Sequence, residues 1–436
     1  MNYFSRLFKA KAELIEPDIQ FGRFTDSYKS DEKYTIWQKS IDLFENEKYL
    51  FSFKALLEFL TVEDKNNVTY HLDQGKLTFS LTQGSRIIQG EADHIRFMAE
   101  AKVAWMQNKH LGLMRLLLEE NFDLKYARYA IDSGEYICLK FDTFVEDASP
   151  HKLYQALKEL STVADRRDDV LMQTYSDLKP LNDHRIRQIS DQEKEIKFRF
   201  FKNQVHNVIQ EIDHGKLNGF LYPGGVSFLL LDLLYKVDFL LKPEGKIMES
   251  ISESHDLYFN DNVISVQDKN KVIIKKVKVF ENITFLDFCG EMYEVNSTFG
   301  ISVPDGHQRL VDIIDAQISD FEWYYENRYL EYAKAICGYV AGFVLYSYSL
   351  PEPTKALLKL YYRIIYFEFF TDLGYVDGIF KKGKYDKNRV EDLIEDVVLK
   401  HKVKYPNVSL NTKVLDFIDE CMFRKSYLMM LRNLKY

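Results

Sequence analysis

The stretch that decides the fold of the N-terminal half lies between Val68 and Leu81 and reads VTYHLDQGKLTFSL. Apolar residues alternate with polar ones on both sides of the turn from Asp73 to Gly75. This period of two is typical of a strand with one buried face, and a short Asp/Gly turn between two such runs indicates a β-hairpin. The stretch therefore predicts two antiparallel strands.

Further strand and helix patterns extend outward from this hairpin. Residues 86–105 (RIIQGEADHIRFMAEAKVAW) show strand alternation, although their alanines leave a helix as the competing interpretation. Residues 124–131 and 135–141 indicate a second hairpin across an Asp-Ser-Gly turn. Helical spacing marks residues 31–60, residues 111–120, and a segment that begins with Ser149 at the N-cap and Pro150 in the first turn and runs to about Tyr175. These patterns predict an α+β fold with one antiparallel sheet flanked by helices.

Strand patterns become rare after Asp191, and helical patterns dominate the C-terminal half. They cover residues 193–212, 226–241, 308–343, 354–370, 390–400 and 414–431, whereas residues 263–284 indicate strands. A chain of 436 residues exceeds the usual size of one hydrophobic core. We therefore predict an N-terminal extension (1–30), an α+β domain (31–180) and a mostly helical, aromatic-rich domain (190–436) built as a bundle or an irregular solenoid.

Composition and charge restrict the classes of partner. The formal net charge is −8, and phosphate binding along a nucleic acid needs a clustered excess of Lys and Arg. A basic run lies at residues 271–278, within the stretch KVIIKKVKV. It is best explained as the solvated face of an amphipathic strand or helix. Nucleic acid is therefore an improbable partner on these grounds. Cys138, Cys289, Cys337 and Cys421 lie far apart, which indicates free thiols in a reducing compartment and predicts a cytoplasmic protein.

One segment resembles a membrane span. Residues 335–350 (AICGYVAGFVLYSYSL) are apolar, but they are fewer than the roughly 18 residues expected of a spanning helix and include several Tyr and Ser. We interpret them as a buried helix in which Gly338 and Gly342 allow another helix to approach closely. Residues 1–12 are amphipathic and lack the apolar core of a signal peptide. The sequence thus predicts no transmembrane segment.

Motifs that carry chemistry are missing from the sequence. It contains no HExxH, GxSxG, P-loop or Rossmann pattern. The carboxylates Asp165, Asp168 and Asp169 have two arginines among them and indicate a solvated helix end. His206 and His214 supply only two nitrogens, which make no metal site by themselves. We therefore predict no catalytic residue, no metal ligand and no cofactor.

Residues 31 to about 178 resemble the YbjN-like domain, which shares its fold with type III secretion chaperones. The resemblance is carried by the segment LMRLLLEENFDLKYARYAID (113–132), the strand EYICLKFDTF (135–144) and the helix SPHKLYQALKELSTVADRRDDVL (149–171). It implies a domain that binds partner polypeptides on its sheet and helix faces, usually as a small dimer. It leaves the oligomeric state of this longer chain open.

The segment 124–131 is the candidate contact surface. Alternation places apolar or aromatic groups on both of its sides, so it is either covered on both faces or presents a groove. Our hypothesis is a non-catalytic protein-binding, chaperone-like or scaffold-like protein; the alternatives are an enzyme with its site at the domain junction and a protein that associates with a membrane surface. The candidate contact residues are Tyr126, Arg128, Tyr129 and Ile131.

Overall fold

The computed structural model describes residues 16–62, 65–108, 110–175, 177–179, 181, 186–260, 263–381 and 383–436. Residues 1–12, which the sequence marks as amphipathic, lie outside the described residues. The side chains of Asp168 and Asp169 do so as well. Within the described part the fold is α+β, with an antiparallel sheet in the N-terminal half and mostly helices in the C-terminal half, which confirms the predicted fold class.

The N-terminal half is built around one sheet. Its elements are α1 (Asp31–Glu45), α2 (Tyr49–Leu60), β1 (Val68–Asp73), β2 (Lys76–Gln83), β3 (Arg86–Ala92), β4 (Arg96–Met106), α3 (Leu111–Asp123), β5 (Arg128–Ile131), β6 (Tyr136–Phe144), α4 (Pro150–Thr174) and β7 (Leu178–Lys179). The strand order is β1-β2-β3-β4-β6-β5, with antiparallel neighbours, and β7 pairs with β4. Strands β1 and β5 therefore form the two edges.

Local sequence explains the turns of this sheet. In the first hairpin Gln74 and Gly75 both have positive φ (44° and 76°), as a two-residue turn of the twist-compatible kind requires. Residues 86–105 form strands rather than the competing helix: β3 pairs with β2, β4 pairs with β6, and the Asp93 carboxylate accepts the amides of Ile95 and Arg96 in the turn between β3 and β4. The predicted alternation holds on both sides of that turn.

Helices cover one face of the sheet. At the start of α4 the Ser149 hydroxyl accepts the Lys152 amide, and Pro150 occupies the first turn as predicted. Leu153, Leu157 and Leu160 of α4 are fully buried and belong to the same core as the inward-facing residues of the strands. These residues recur at spacings of four and three, so one side of α4 packs on the sheet.

The C-terminal half consists mostly of helices. Its elements are β8 (Arg187–Gln188), α5 (Asp191–His214), α6 (Pro223–Leu241), α7 (Gly245–Asn260), α8 (Val266–Glu281), α9 (Phe285–Gly290), β9 (Tyr293–Glu294), β10 (Val303–Pro304), α10 (His307–Glu326), α11 (Leu330–Ser347), β11 (Tyr348–Ser349), α12 (Glu352–Ile365), α13 (Phe367–Asp372), β12 (Phe380–Lys381), β13 (Lys384–Tyr385), α14 (Lys387–His401) and α15 (Glu420–Arg432).

The strand interpretation of residues 263–284 was wrong, since this stretch forms α8. Its alternating apolar residues also satisfy the helical period: Ile273, Val277 and Phe280 are buried on one side, at spacings of four and three. The Ser265 side chain caps the helix by accepting the Asp268 amide. The predicted helix 308–343 is in fact two helices, because Arg328 adopts a left-handed backbone conformation (φ 65°) between α10 and α11.

Helices α6 and α11 cross at the centre of the helical half, where α11 is almost entirely buried. The approach is close because both glycines of α11 face α6: a Cβ at Gly338 would lie 2.0 Å from Asp232 Oδ1, and a Cβ at Gly342 would lie 2.6 Å from Tyr235 Cβ. Among the described residues, no helix combines the length and the apolar composition that crossing a bilayer demands. The segment 335–350 is thus a buried helix with a short strand at its end.

The two halves are joined through the segment that follows β9. Phe299 inserts into the core of the N-terminal half, and its backbone amide donates to Gln83 Oε1 at 2.9 Å. The Thr298 hydroxyl donates to the Thr82 carbonyl at 2.7 Å and accepts from Asn67 Nδ2. These buried hydrogen bonds fix the sheet against the helical half.

Candidate functional site

The structure does not bring the four candidate contact residues to one surface. Tyr129 is 7% exposed and belongs to the core of the sheet, and Tyr126 packs partly buried against the same core. Arg128 lies on the opposite, outer side of β5 and forms an ion pair with Asp142. Ile131 is exposed at the end of the strand. Of the four, only Arg128 and Ile131 are open to a partner.

The outer edge of β5 is closed by a side chain of α3. The Tyr129 amide donates to Asn121 Oδ1 at 2.6 Å, and Asn121 Nδ2 donates to the Tyr129 carbonyl at 3.3 Å. The Asn121 carboxamide thus forms hydrogen bonds with both the backbone N–H and the backbone C=O of Tyr129, as a neighbouring strand would. A partner strand could not add here without displacing Asn121.

The segment that leads into β5 is anchored to α4. The Glu159 carboxylate accepts three consecutive backbone amides, from Lys125 at 3.0 Å, Tyr126 at 2.7 Å and Ala127 at 2.8 Å. Amide groups without a strand partner would otherwise be left unsatisfied beside the core. One carboxylate therefore holds the α3–β5 connection in a single conformation.

The outer face of the sheet is polar, in contrast to the expectation of apolar groups on both sides of residues 124–131. Ion pairs link neighbouring strands across this face, namely Lys76–Glu91 (2.7 Å) and Lys140–Glu100 (2.7 Å), and Lys102 of β4 pairs with Asp132 in the β5–β6 turn (3.0 Å). Such a face is typical of an antiparallel sheet with one side in water. The apolar residues of the segment are accounted for by the core and by the α3–β5 connection.

A cluster on this face has the residue types of a metal site. Ligand atoms of Glu100, Asp132 and Cys138 lie within 4.8 Å of one another. Both carboxylates, however, already pair with Lys140 and Lys102. Burial, followed by the nearby Glu100 and Asp132 carboxylates, raises the pKa of the Cys138 thiol to about 12. A metal ligand must be a thiolate, so the cluster as it stands does not favour a metal ion.

Helix α3 carries an apolar stripe on its exposed side. Leu111 is 85% exposed, Leu118 70% and Phe122 92%, while Leu113 and Leu117 on the other side are buried in the sheet core. The three exposed residues lie at spacings of seven and four, which places them on one side of the helix, where the exposed Arg115 side chain stands between Leu111 and Leu118. Sequence reasoning identified α3 as an apolar helix but could not tell which of its apolar residues the core would leave uncovered.

A cleft of about 550 Å³ lies at the junction of the two halves, between α4 and the helical half. Arg23 dominates its wall: its Nε donates to Asp238 Oδ1 at 2.7 Å, and its guanidinium stacks on the Tyr346 ring at 3.9 Å. Beside it, the Tyr235 hydroxyl and His255 Nδ1 are 2.8 Å apart. The charge of Arg23 is thus paired with Asp238 inside the fold, which ties the N-terminal extension to α6 and α11.

The four cysteines are free thiols, as their spacing predicted, and Cys138, Cys337 and Cys421 are buried. Burial raises the pKa of Cys421 to about 11, so its thiol is protonated at neutral pH. The uncovered apolar side of α3 has the geometry of a contact surface. No protein-family model matches the chain, and no curated protein matches its sequence significantly.

Proposed function

We propose that the chain is a non-catalytic binding protein that holds an apolar segment of another polypeptide against α3. The observation that carries the proposal is the stripe formed by Leu111, Leu118 and Phe122, each more than two-thirds exposed on one side of a single helix. Single exposed apolar residues are common, but several in a row along a helix mark interaction surfaces. From Leu111 to Phe122 the stripe runs for about 16 Å, at 1.5 Å per residue.

The stripe is held rigidly, which lowers the entropic cost of binding. Leu113 and Leu117 fix the inner side of α3 in the core, and the Asn121 carboxamide ties its last turn to β5. The exposed side chains therefore stand on a preformed surface. An apolar helix or extended segment could cover them without rearrangement of the sheet.

Two other modes of peptide binding receive less support from the geometry. Strand addition at β5 would compete with the two Asn121 hydrogen bonds to Tyr129. Binding on the outer face of the sheet would have to replace the cross-strand ion pairs. Helix-against-helix contact at α3 requires neither change.

The resemblance to the YbjN-like domain supports the same proposal. The segment 113–132, which carries that resemblance, contains most of α3 and the whole of β5. In the family with this fold, sheet and helix faces bind partner polypeptides. We propose the same class of partner here and extend it to the full chain.

The proposal is tested by affinity capture with the full-length chain and two double variants. Leu118→Ser/Phe122→Ser removes the stripe, whereas Phe220→Ser/Leu221→Ser removes two comparably exposed residues (79% and 65%) of the helical half. Because all four residues are exposed, each double variant should change the free energy of unfolding by less than about 1 kcal/mol. We expect to capture a reproducible protein partner, which the control variant retains and the stripe variant loses. The purified partner should bind the unmodified chain again.

Analytical ultracentrifugation of the same proteins distinguishes a second copy of the chain from another protein as the occupant. A dimer that dissociates only in the stripe variant would assign the stripe to self-association. If the stripe variant retains every partner, α3 is not the binding surface.

A further inference from the structure

We propose that a basic cleft between the segment 16–25 and helices α12 and α14 binds a small polyanion of the phosphate-ester class. The cleft has a volume of about 780 Å³, within the range of small-molecule sites. In a chain with a net charge of −8, its walls concentrate positive charge. The cations that line the cleft include Lys65, Lys242, Lys355, Lys359, Arg363 and Lys400.

Three of these cations form a line along α12. Lys355, Lys359 and Arg363 are spaced by four residues and share one side of the helix, while Leu357 and Tyr361 on the opposite side are fully buried. Like charges at this spacing repel one another and destabilise a helix unless anions lie nearby. The buried side fixes the line in place, so the charges cannot turn away from the cleft.

The fold supplies anions for two of the three cations. Lys355 lies 3.3 Å from the Glu352 carboxylate, and Arg363 pairs with Asp377 and, at 2.7 Å, with Glu16. Lys359, between them, makes no hydrogen bond or ion pair with any described residue. Surrounding protein and then the like charge of Lys355 lower the pKa of Lys359, although the side chain stays open to solvent in the cleft.

The opposite wall contributes a second cation in a strained position. Lys242 ends α6 with a left-handed backbone (φ 51°), and its ammonium donates to Gln20 Oε1 at 2.9 Å. Burial lowers the pKa of Lys242; the nearby Glu244 and Glu294 carboxylates oppose this shift, and Lys65 and Lys197 add to it. An anion in the cleft would offset the cost of holding Lys242 charged there.

Each carboxylate that lines the cleft is paired with a cation, two of them with cations of the cleft itself and one with an arginine outside it. Glu16 pairs with Arg363, Glu352 with Lys355, and Asp18 with Arg187 at 3.0 Å. Lys400 lies in the last turn of α14, where the helix dipole also favours a cation. The excess positive charge therefore rests mainly on Lys359, Lys242 and Lys65, which come from different walls.

The distribution of the cations indicates a polyanionic ligand. A single carboxylate could satisfy one wall, but cations on several walls require a ligand with several anionic oxygens, which phosphate esters and polyphosphates supply. Phe21, which packs on the buried rings of Phe370 and Tyr375, also lines the cleft and is itself only partly buried. This inference does not rest on the polypeptide-binding function.

Titration calorimetry of the full chain with inorganic pyrophosphate tests the inference. We expect saturable binding that weakens as sodium chloride rises from about 50 to about 200 mM, because screening reduces the attraction. Lys359→Gln should weaken binding about tenfold, since a charge-assisted hydrogen bond is lost. Lys271→Gln, which removes an exposed lysine paired with Asp268 on α8, should bind like the unmodified chain.

Three outcomes would overturn the inference. The first is that pyrophosphate shows no saturable binding. The second is that a Lys359→Gln variant with a native circular dichroism spectrum binds pyrophosphate as tightly as the unmodified chain. The third is that Lys271→Gln weakens pyrophosphate binding as much as Lys359→Gln does. A fourth arm measures co-sedimentation with vesicles that contain phosphatidylglycerol. If the chain binds these vesicles but not pyrophosphate, and Lys359→Gln abolishes the vesicle binding, the cleft binds a lipid headgroup and the small-molecule proposal is overturned.

Discussion

Replacement of Gly342 by alanine tests the packing at the centre of the helical half. Gly342 lies where α11 crosses α6, and both helices are buried there. The added methyl carbon would stand 2.6 Å from Tyr235 Cβ and 2.8 Å from the Tyr362 hydroxyl. The nearest obstacle is a Cβ atom fixed to the backbone of α6, so it cannot swing aside as the end of a long side chain could.

The magnitude follows from this distance. Carbon atoms in contact prefer a separation of about 3.5 to 4.0 Å, so the two helices would have to move apart by roughly 1 Å. Overpacking of this kind costs about 1 to 3 kcal/mol. The higher helix propensity of alanine returns up to about 1 kcal/mol. Taking the middle of the first range less the full return, we expect Gly342→Ala to lower the free energy of unfolding of the helical half by about 1 kcal/mol, and by no more than about 3 kcal/mol.

Hydrogen exchange measured by mass spectrometry, together with urea unfolding, detects this change and localises it to α6 and α11. Gly224→Ala is the matched control, because Gly224 lies in the first turn of α6 and its added Cβ would meet nothing within 4 Å. The control should lose no stability. Unchanged exchange in Gly342→Ala, or equal destabilisation by Gly224→Ala, would refute the reasoning from close packing.

Two further predictions concern the core of the sheet and the pH dependence of stability. Leu157→Ala should lower the free energy of unfolding by about 2 to 5 kcal/mol, because the side chain is fully buried between α4 and the sheet; a shift of the urea midpoint worth less than about 0.5 kcal/mol would contradict its placement. Burial lowers the pKa of His255, so the imidazole stays neutral in the folded chain at a pH at which it is protonated in the unfolded chain, where its pKa is about 6.5. The stability due to neutral His255 is therefore present above about pH 6.5 and is lost as the pH falls through the lower folded pKa. Urea midpoints at pH 7 and 5 should accordingly differ less in His255→Gln than in the unmodified chain, with His307, whose pKa burial also lowers, retaining part of the difference.

Local patterns in the sequence were sufficient for the elements whose cause is local. The Asp/Gly turn placed the first hairpin, and Ser149 with Pro150 placed the start of α4, because a turn and a helix cap depend on neighbouring residues. The pattern failed at residues 263–284, where alternating Val, Ile and Lys satisfy a strand and one side of a helix alike. Only packing of Ile273 and Val277 against the helical core distinguishes the two.

The candidate contact surface shows the same limit. Sequence alternation assigned Tyr126, Arg128, Tyr129 and Ile131 to the two sides of a strand, but it could not reveal that α3 and the sheet bury Tyr129. Nor could it show that Asn121, eight residues earlier, closes the strand edge. Which side of a strand is covered depends on distant elements, so it is decided by the assembled fold.

By itself, the sequence determined that the chain pairs an α+β half with a mostly helical half, and that the apolar segment 335–350 forms a buried helix. The tertiary structure alone decided the surfaces open to partners. The stripe on α3 is exposed because no described element packs over it, and the basic cleft gathers Lys65, Lys242 and Lys359 from positions far apart in the chain. Periodicity records the environment of one element at a time, whereas a binding site is formed by side chains from several elements that meet only after folding.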